Sequence, residues 1–339
     1  MSSFNHFLNN EYAVVADIGG TNARFSRVNL SNMVLDKTVI YSCARFTSLS
    51  SAFIHYRRDQ GLMAINCVAV AIACPVIRDK VSMTNCNWQF SIKALKRQLN
   101  LSHLVVLNDF AAAAMSLQVL ADEEMIQIGG DKIQPQHPKV LLGAGTGLGT
   151  AFLIPVGGRF SPVASEAGHT DWKAETGQEK FIQRFLAKRF GHVSAERVLS
   201  GPGLECLYLA LAAYENKSVN PLSASDIAKL ALLDQSTLAR GAVMQFFSSF
   251  GSMAGDLALT LNALGGVYIA GGIVPKLLPL IHASDFRSRF EDKGRFREFN
   301  SKIPCFVVNS AHPGLIGAAL YLKQLMDNEN GFSRLAITA

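Results

Sequence analysis

The sequence predicts an α/β protein built from a repeated unit, and three observations support this. Short apolar runs alternate with helix-forming segments in the first half of the chain. A strand, a glycine-rich turn and a second strand occur near residue 20 and again near residue 146. The chain has 339 residues, more than one ordinary domain needs. We therefore expect two α/β domains, with one large domain as the alternative.

The first half of the chain is predicted to be rich in strands. Apolar runs, continuous or alternating with polar residues, indicate strands at residues 12–18, 23–28, 67–74, 104–107, 139–143 and 149–156. After the fourth of these, the alanine-rich segment FAAAAMSLQVL favours a helix. This strand-rich region gives way to a helix-rich one near residue 120, where we place the domain boundary.

The second half is predicted to be more helical. Ser194 is placed to cap a short helix that includes Glu196, and residues 200–203 read as a turn before a helix that ends at residue 214. The remaining predicted elements are a long helix (or two joined near Gly251) over 236–264, a strand over 267–270, a helix from 273, a strand over 304–308 and a helix over 313–326.

Composition and charge limit the class of protein. Hydrophobic residues make up 49% of the chain, enough for a sizeable core, and the net charge of +6 comes from short basic clusters interspersed with acidic residues. We expect anionic small molecules rather than nucleic acid as ligands. No apolar run approaches the roughly 18 residues of a membrane helix, and residues 1–11 lack a secretory signal. Six cysteines without Cys-x-x-Cys spacing indicate core thiols, so we expect a cytoplasmic protein without a membrane partner.

The segment AVVADIGGTNARF, residues 13–25, predicts the first ligand-binding turn. Its adjacent glycines precede a strand, which excludes the dinucleotide fingerprint, and the chain has no Gly-Lys pair for a P-loop. Glycines let a ligand approach the turn amides, which form an anion nest, and Thr21 and Asn22 add polar side chains. Asp17 suits the Mg²⁺ that accompanies a nucleotide triphosphate. The alternative is an ordinary hairpin whose Asp bonds its own turn amides.

Two further glycine turns extend this prediction. The segment VLLGAGTGLGTAF, residues 140–152, has the same pattern of strand, glycine turn with Thr146, and strand. Glycines at four alternate positions favour a close approach of a ligand to the backbone, so the two turns are predicted to hold phosphates from both sides. Gly271 and Gly272, between a strand and a helix, are expected to pass beside a purine and ribose, although a plain turn would explain them nearly as well.

Polar residues near these turns form a candidate site. Asn108 and Asp109 end a predicted strand, where open α/β sheets place their ligands, so we interpret Asp109 as a general base and Asn108 as a substrate-orienting group. The alternative is that Asp109 only caps the following helix. Glu166 and His169 lie in a loop, and Glu196 is either a substrate ligand or an early-helix Glu favoured by the helix dipole. Together these groups suit a ring of sugar hydroxyls.

Ten segments in order resemble the bacterial glucokinase family of the hexokinase-like, actin-like ATPase superfamily, over residues 12–325. They are VVADIGGTNARF, AIACPV, MTNCNWQFS, LNDFAAAAM, GAGTGLGTAFL, EAGHTDW, GHVSAERVLSGPGL, GGVYIAGGIVP, FEDKGRF and HPGLIGAALYL. The resemblance implies an actin-like ATPase fold, a duplicated ribonuclease H-like arrangement of two α/β domains with a cleft between them. The small domain would hold residues 1–119 and 310–330, and the large domain residues 120–309.

The resemblance also implies a function and its residues. The protein would phosphorylate glucose at the 6-hydroxyl with ATP and Mg²⁺, in the cytoplasm, as a homodimer. The sugar would be held by Asn108, Asp109 as the base, Glu166, His169 and Glu196. The nucleotide would meet the backbone or side chains of Ala16, Asp17, Ile18, Gly19, Gly20, Thr21, Asn22, Gly145, Thr146, Gly147, Gly271 and Gly272. Asp17 would hold Mg²⁺, directly or through water. One departure is Ala167, where the family often has Gly.

Several alternatives stay open at this point. The cysteines lack the zinc-binding Cys-x-Cys-Gly-x-x-Gly-Cys segment of the repressor/open-reading-frame/kinase group, but fructose, mannose or glucosamine could replace glucose, and ADP or polyphosphate could replace ATP. A sugar-sensing transcription regulator would need a helix-turn-helix domain before the first phosphate turn, which begins by residue 17. An ATP-driven machine of the actin type is a third alternative.

Overall fold

The computed structural model describes residues 11–83 and 86–337, with side chains through residue 329, and the chain forms two compact units. Unit 1 extends through Leu120 and resumes at Ser310, and unit 2 is the intervening segment Ala121–Asn309. Each unit combines a mixed β-sheet with helices, so the predicted α/β class is confirmed.

The strands and helices are numbered in chain order. The strands are β1 (Tyr12–Ile18), β2 (Asn22–Asn29), β3 (Leu35–Ser42), β4 (Cys67–Ile72), β5 (Lys80–Ser82), β6 (Gln89–Ser91), β7 (His103–Asn108), β8 (Met125–Gly129), β9 (Lys139–Ala144), β10 (Leu148–Val156), β11 (Arg159–Ser165), β12 (Val267–Ala270) and β13 (Cys305–Val308). The helices are α1 (Leu49–Asp59), α2 (Ile92–Gln98), α3 (Asp109–Ser116), α4 (Gly177–Phe190), α5 (Gly201–Tyr214), α6 (Ala224–Leu232), α7 (Thr237–Leu261), α8 (Leu278–Ile281), α9 (Phe286–Glu291), α10 (Arg297–Lys302) and α11 (Pro313–Ile337).

The main sheets of the two units share one strand arrangement. In unit 1 the order is β3-β2-β1-β4-β7, with the first three strands antiparallel and β1, β4 and β7 parallel. In unit 2 the order is β11-β10-β9-β12-β13-β8, with β9, β10 and β11 antiparallel and β9, β12 and β13 parallel. Strand β8 adds an antiparallel edge next to β13. The glycine turns therefore join equivalent strand pairs, β1–β2 and β9–β10.

Burial on both faces explains the continuous apolar run of β4. Val68, Val70 and Ile72 belong to a core that includes the aromatic side chains packed under α1. The alternate residues, Cys67, Ala69 and Ala71, face a second core that contains residues of α11. Small side chains on this second face let α11 approach the sheet closely.

Unit 2 has a larger core around the long helix α7. Phe246, Phe247 and Phe250 of this helix are fully buried, and Phe286 and Phe290 of α9 belong to the same cluster. Buried polar groups are paired across this core: the Glu179 carboxylate accepts hydrogen bonds from Gln245 at 2.9 Å and Arg289 at 3.1 Å. These bonds hold α4, α7 and α9 together.

Most of the predicted elements are confirmed, but several predictions are wrong. Residues 201–203 begin α5 instead of forming a turn, because Ser200 accepts a hydrogen bond from the Gly203 amide and caps the helix. The segment from residue 273 forms only a 3₁₀ turn and the one-turn helix α8. Helix α11 extends to Ile337 rather than ending at 326. Of the two alternatives predicted for residues 236–264, one long helix is confirmed, because α7 is continuous through Gly251.

Among the described residues, no helix combines the length and apolar character needed to cross a membrane. The six cysteines are free thiols, and all except Cys86 are buried.

Candidate active site

The first glycine turn, in unit 1, leaves backbone donors open. The Gly19 amide donates to the Asn22 carbonyl at 2.9 Å and closes the turn between β1 and β2, while Thr21 and Asn22 are exposed. Within the described chain, the amides of Gly20 and Thr21 have no protein acceptor. The turn therefore has the open donors that an anion nest requires.

Asp17 faces charged groups instead of capping this turn. In the described part of the chain, its carboxylate accepts no hydrogen bond from the turn amides, which argues against the ordinary-hairpin alternative. The carboxylate lies 3.6 Å from Nη1 of Arg24, its cross-strand partner on β2. Burial raises the pKa of Asp17, and the positive charges of Arg24 and His312 partly oppose this increase.

Arg24 and His312 are further candidate site residues that the sequence did not single out. Nε of Arg24 and Nδ1 of His312 are buried, and neither has a hydrogen-bond partner among the described residues. Unsatisfied buried polar atoms are rare in native proteins and often mark a place where a ligand or ion completes the bonding. The sequence signal for Arg24 is its position in the segment AVVADIGGTNARF, which also contains Asp17. His312 lies near the other end of the chain, and no local sequence pattern links it to Asp17.

The residues around Asp17 fit a magnesium ion held mainly by a ligand. No group of three or more acidic, His or Cys side chains in the described residues could hold a metal alone. Mg²⁺ in phosphoryl-transfer sites is typically bound by one or two carboxylates together with substrate phosphates and water. A single carboxylate beside a turn with open amides agrees with that donor set.

Asn108, rather than Asp109, caps helix α3. Oδ1 of Asn108 accepts hydrogen bonds from the amides of Phe110 at 3.0 Å and Ala111 at 3.2 Å. The Asp109 carboxylate also accepts from Phe110 at 2.9 Å, but Asp109 is the first residue of the helix, not its cap. This arrangement holds the Asp109 side chain at the carboxyl end of β7. The Asn108 amide nitrogen donates one N–H to the Cys74 carbonyl at 3.5 Å and keeps its second N–H.

The negative charge of Asp109 also affects the pKa of the neighbouring Cys74 thiol. Burial raises the pKa of Cys74, and the negative charge of Asp109 adds to the increase. The carbonyl of Cys74 lies 3.5 Å from Nδ2 of Asn108, so the end of β4 borders the same pair. The Asn108–Asp109 pair thus lies at the ends of two adjacent parallel strands, where α/β sheets bind ligands.

The second glycine turn, in unit 2, repeats the features of the first. The Gly145 amide donates to the Gly147 carbonyl at 2.8 Å, and Thr146 is exposed. In the described chain the amides of Thr146 and Gly147 have no protein acceptor. The Gly145 carbonyl accepts a hydrogen bond from the Gly201 amide at 2.8 Å, and this bond links the turn to the start of α5.

Glu196 is bound directly to this turn. Its Oε2 accepts a hydrogen bond from the Leu148 amide at 2.9 Å. A Cβ atom added at Gly147 would lie 2.6 Å from the same oxygen, so the turn and the carboxylate are in direct contact. Glu196 lies in a 3₁₀ turn, Ala195–Arg197, whose preceding residue Ser194 makes no side-chain cap, contrary to the prediction.

Glu166 and His169 lie on a neighbouring loop of unit 2. Nε2 of His169 is 3.8 Å from Oε2 of Glu166, and the two side chains are 60% and 64% exposed. Glu166 precedes a 3₁₀ turn, Ala167–His169, and His169 is the last residue of this turn. The Ala195 amide donates to the Thr170 carbonyl at 2.9 Å, which ties this loop to the Glu196 turn. The structure therefore places the loop of Glu166 and His169 next to the turn of Glu196 in unit 2.

The third glycine turn, which contains Gly271 and Gly272, lies next to the second, and a cavity opens beside them. The Ile273 amide approaches the Ala144 carbonyl at 3.3 Å, and Gly271, with φ of +86°, packs against the same carbonyl. Beside the two turns lies a cavity of about 650 Å³ within unit 2. Its lining includes both glycine turns, the start of α5 and the helix α6, among them Gly145, Thr146, Gly201, Glu205, Leu232, Leu233, Gly272 and Leu277.

Two properties of this cavity indicate a ligand site. Cβ atoms added at Gly145 or Gly272 would meet no atom within 4 Å, so both glycines border empty space. Leu232 and Leu233 are 40% and 55% exposed although they line a concave surface, and Lys229 and Lys276 line it as well. Apolar walls with a few polar groups are typical of small-molecule sites.

The fold and these sites define a class of α/β proteins with two glycine turns between antiparallel strands and with acidic side chains beside them. Comparison with known proteins identifies the family. A family model described as glucokinase matches residues 14–325. Glucokinase of Yersinia enterocolitica serotype O:8 is 41% identical over 313 residues, covering 92% of this chain and 97% of that protein. Glucokinase of Yersinia pestis strain Pestoides F is 42% identical over 318 residues, or 94% and 98% of the two chains.

Solved structures agree with this assignment. A glucokinase from an Antarctic psychrotroph is 34% identical with a TM-score of 0.86, covering 93% of this chain and 99% of that one. A ROK family glucokinase from Streptomyces griseus, in complex with glucose and AMPPNP, shares the fold at 19% identity with a TM-score of 0.61, covering 92% and 99% of the two chains. The chain belongs to the glucokinase family.

Proposed function

We propose that this protein transfers the γ-phosphoryl group of ATP to the 6-hydroxyl of D-glucose, as a glucokinase. One observation carries the proposal: in unit 2 the Glu196 carboxylate, a candidate sugar ligand, is hydrogen-bonded to the glycine turn that is a candidate phosphate site. Direct transfer requires the sugar and the triphosphate to be adjacent. A shared contact between a sugar group and a phosphate turn supports that adjacency.

Asp109 acts as the general base in this proposal. It accepts the proton of the 6-hydroxyl as that oxygen attacks the γ-phosphorus and the bond to the β-phosphate oxygen breaks. Asn108 orients the sugar through its second N–H, and Glu166, His169 and Glu196 bind the other hydroxyls. The helix cap by Asn108 supports the role of Asp109, because it fixes the first turn of α3.

The glycine turns bind the nucleotide in this proposal. The backbone of residues 16–21 and the polar side chains of Thr21 and Asn22 meet phosphate oxygens, as do the amides of Thr146 and Gly147. The purine and ribose occupy the unit 2 cavity beside Gly271 and Gly272. Mg²⁺, held by Asp17 directly or through water, would neutralise charge on the phosphates.

The architecture is proposed to be that of the actin-like ATPases, with two ribonuclease H-like domains and a cleft. The matching strand orders of the two main sheets support duplication. We assign residues 1–119 and 310–330 to the small domain and 120–309 to the large one. A homodimer in the cytoplasm is proposed from the family resemblance, and the free thiols agree with a reducing compartment.

The proposal is tested by a coupled assay of ADP release with glucose, fructose, mannose and glucosamine, with and without Mg²⁺. We expect ADP release to require both glucose and Mg²⁺ and to be fastest with glucose. Hydrolysis of ATP that is unaffected by any sugar would contradict the proposal and favour an ATP-driven machine. A preference for another hexose would reassign the substrate.

Arg24 is expected to stabilise the transferred phosphoryl group. Its side chain is 31% exposed, lies beside the first phosphate turn and makes no hydrogen bond to a described residue, so its donors remain available to a phosphate oxygen. In an Arg24→Met variant we expect kcat to fall about 10²- to 10³-fold, the usual effect of removing one transition-state donor, with KM for glucose little changed. Steady-state kinetics in both substrates measures this.

Arg27 offers a matched control on the same strand. Its guanidinium pairs with Asp36 and lies 4.6 Å from the Tyr12 ring centroid, away from the proposed machinery. Arg27→Met should leave kcat within about twofold, since an exposed ion pair contributes little. If Arg24→Met behaves like Arg27→Met, Arg24 has no part in transfer.

Gly147 and Gly145 are expected to affect different substrates. The new methyl of Gly147→Ala would meet the Glu196 carboxylate at 2.6 Å and displace it, so we expect KM for glucose to rise about tenfold or more. The methyl of Gly145→Ala meets no protein atom and borders the cavity, so it should raise KM for ATP instead. Equal effects of both variants on both substrates would contradict the assignment of Glu196 to the sugar.

A further inference from the structure

We propose that Glu205 binds a ribose hydroxyl of the nucleotide and makes the protein select ribonucleotides over deoxyribonucleotides. The inference rests on the proposed function, because it concerns the nucleotide in the unit 2 cavity. Among the described residues lining that cavity, Glu205 carries the one carboxylate. Its Oε1 accepts a hydrogen bond from the Ala224 amide at 2.9 Å, which fixes the side chain.

The second carboxylate oxygen of Glu205, Oε2, is available to accept a hydrogen bond from a ligand. No donor in the described chain reaches Oε2 of Glu205. Glu205 is partly buried and lines the cavity, so this oxygen can accept a hydrogen bond from a ligand hydroxyl or amine there. The remaining question is which part of the nucleotide supplies that donor.

The order of groups along the cavity wall favours the ribose. Gly145 and Thr146 of the phosphate turn adjoin Gly201, since the Gly201 amide bonds the Gly145 carbonyl. Glu205 lies one turn further along α5, about 6 Å at the rise of an α-helix. In a nucleotide the ribose follows the phosphates directly, so Glu205 is placed at the level of the sugar.

The apolar part of the cavity wall suits the base. Leu232, Leu233 and Ile273 line the cavity, and Leu232 and Leu233 are exposed. These side chains can pack against the faces of a purine, while Ser225, Lys229 and Lys276 also line the cavity. The role proposed for Glu205 concerns the ribose alone.

The experiment measures binding of ATP, 2′-deoxy-ATP and 3′-deoxy-ATP to the full chain by calorimetry, with Mg²⁺ and without sugar. We expect ATP to bind at least about tenfold more tightly than one of the deoxynucleotides, the value of one hydrogen bond to a charged acceptor. In Glu205→Gln, which keeps an acceptor for the Ala224 amide, the ratio should fall to about threefold or less. Affinity for the disfavoured deoxynucleotide should stay unchanged.

Each contrary result has a separate meaning. Equal affinity of the unaltered protein for all three nucleotides overturns the role of Glu205 while leaving the kinase proposal intact, and needs no variant. Full discrimination retained by Glu205→Gln overturns it as well. Glu215→Gln, at the exposed end of the same helix, controls for the loss of one negative charge and should retain full discrimination. Absence of any ATP binding would overturn both this inference and the proposed function.

Discussion

Replacing Asp109 with asparagine is expected to reduce kcat by about 10² to 10⁴-fold, the usual contribution of a general base. The amide cannot accept the proton of the 6-hydroxyl, but it can still accept the hydrogen bond that Phe110 donates to Oδ1. The Asn108 cap is unchanged, so α3 should keep its position. Glucose affinity is therefore expected to change less than tenfold. Steady-state kinetics combined with equilibrium binding of glucose measures both quantities.

Glu298 is a suitable control for this substitution. It is also an acidic residue in the first turn of a helix, α10, and its ion pair with Lys302 is exposed. Glu298→Gln removes the same charge and the same interaction with a helix dipole, and it should leave kcat unchanged. A folded Asp109→Asn protein that turns over at nearly the normal rate would show that Asp109 only supports the helix.

The local pattern of the sequence predicted the elements that carry the turns. The run from Tyr12 to Ile18 and the segment 149–156 alternate or accumulate apolar residues because their strands lie inside a sheet, and the glycines mark the bends between them. Asn108 and Asp109 could be placed at a strand end for the same reason. In each case the residues that form the sequence pattern lie within about ten residues of the turn or strand end that the pattern predicts.

Elements and contacts that depend on distant parts of the chain were not predictable. Strand β3, in which all residues except Tyr41 are exposed or partly exposed, lacks the apolar alternation of a core strand because it is the edge of its sheet. His312 approaches Asp17 only through the position of α11. Glu205 lines the cavity only because α5 and α6 pack side by side. Such relations follow from tertiary packing, which spacing in one sequence does not reveal.

Gly317→Ala is expected to cause the largest loss of stability of any single substitution proposed for this protein. A Cβ atom at this position would lie 1.7 Å from the carbonyl oxygen of Ala112 and 3.0 Å from the amide nitrogen of Ser116. Both atoms are backbone atoms of α3, so no rotamer change can relieve the overlap, and α11 must move away from α3. Overpacking of this kind typically costs 1–3 kcal/mol and sometimes more. We expect a loss of about 3 kcal/mol in the free energy of unfolding.

Gly314, one turn earlier on α11, separates this packing effect from helix propensity. Its added Cβ would make only ordinary contacts, at 3.6 Å to Cγ of Asp17 and 3.7 Å to Cβ of Ala71. Alanine favours a helix over glycine by about 1 kcal/mol, so Gly314→Ala should be neutral or slightly stabilising. Denaturant unfolding of both full-length variants measures the difference. Because α3 begins at Asp109, Gly317→Ala should also lower kcat in the fraction that remains folded. If both variants unfold at the denaturant concentration of the unaltered protein, α11 and α3 are not in the close contact that places the base.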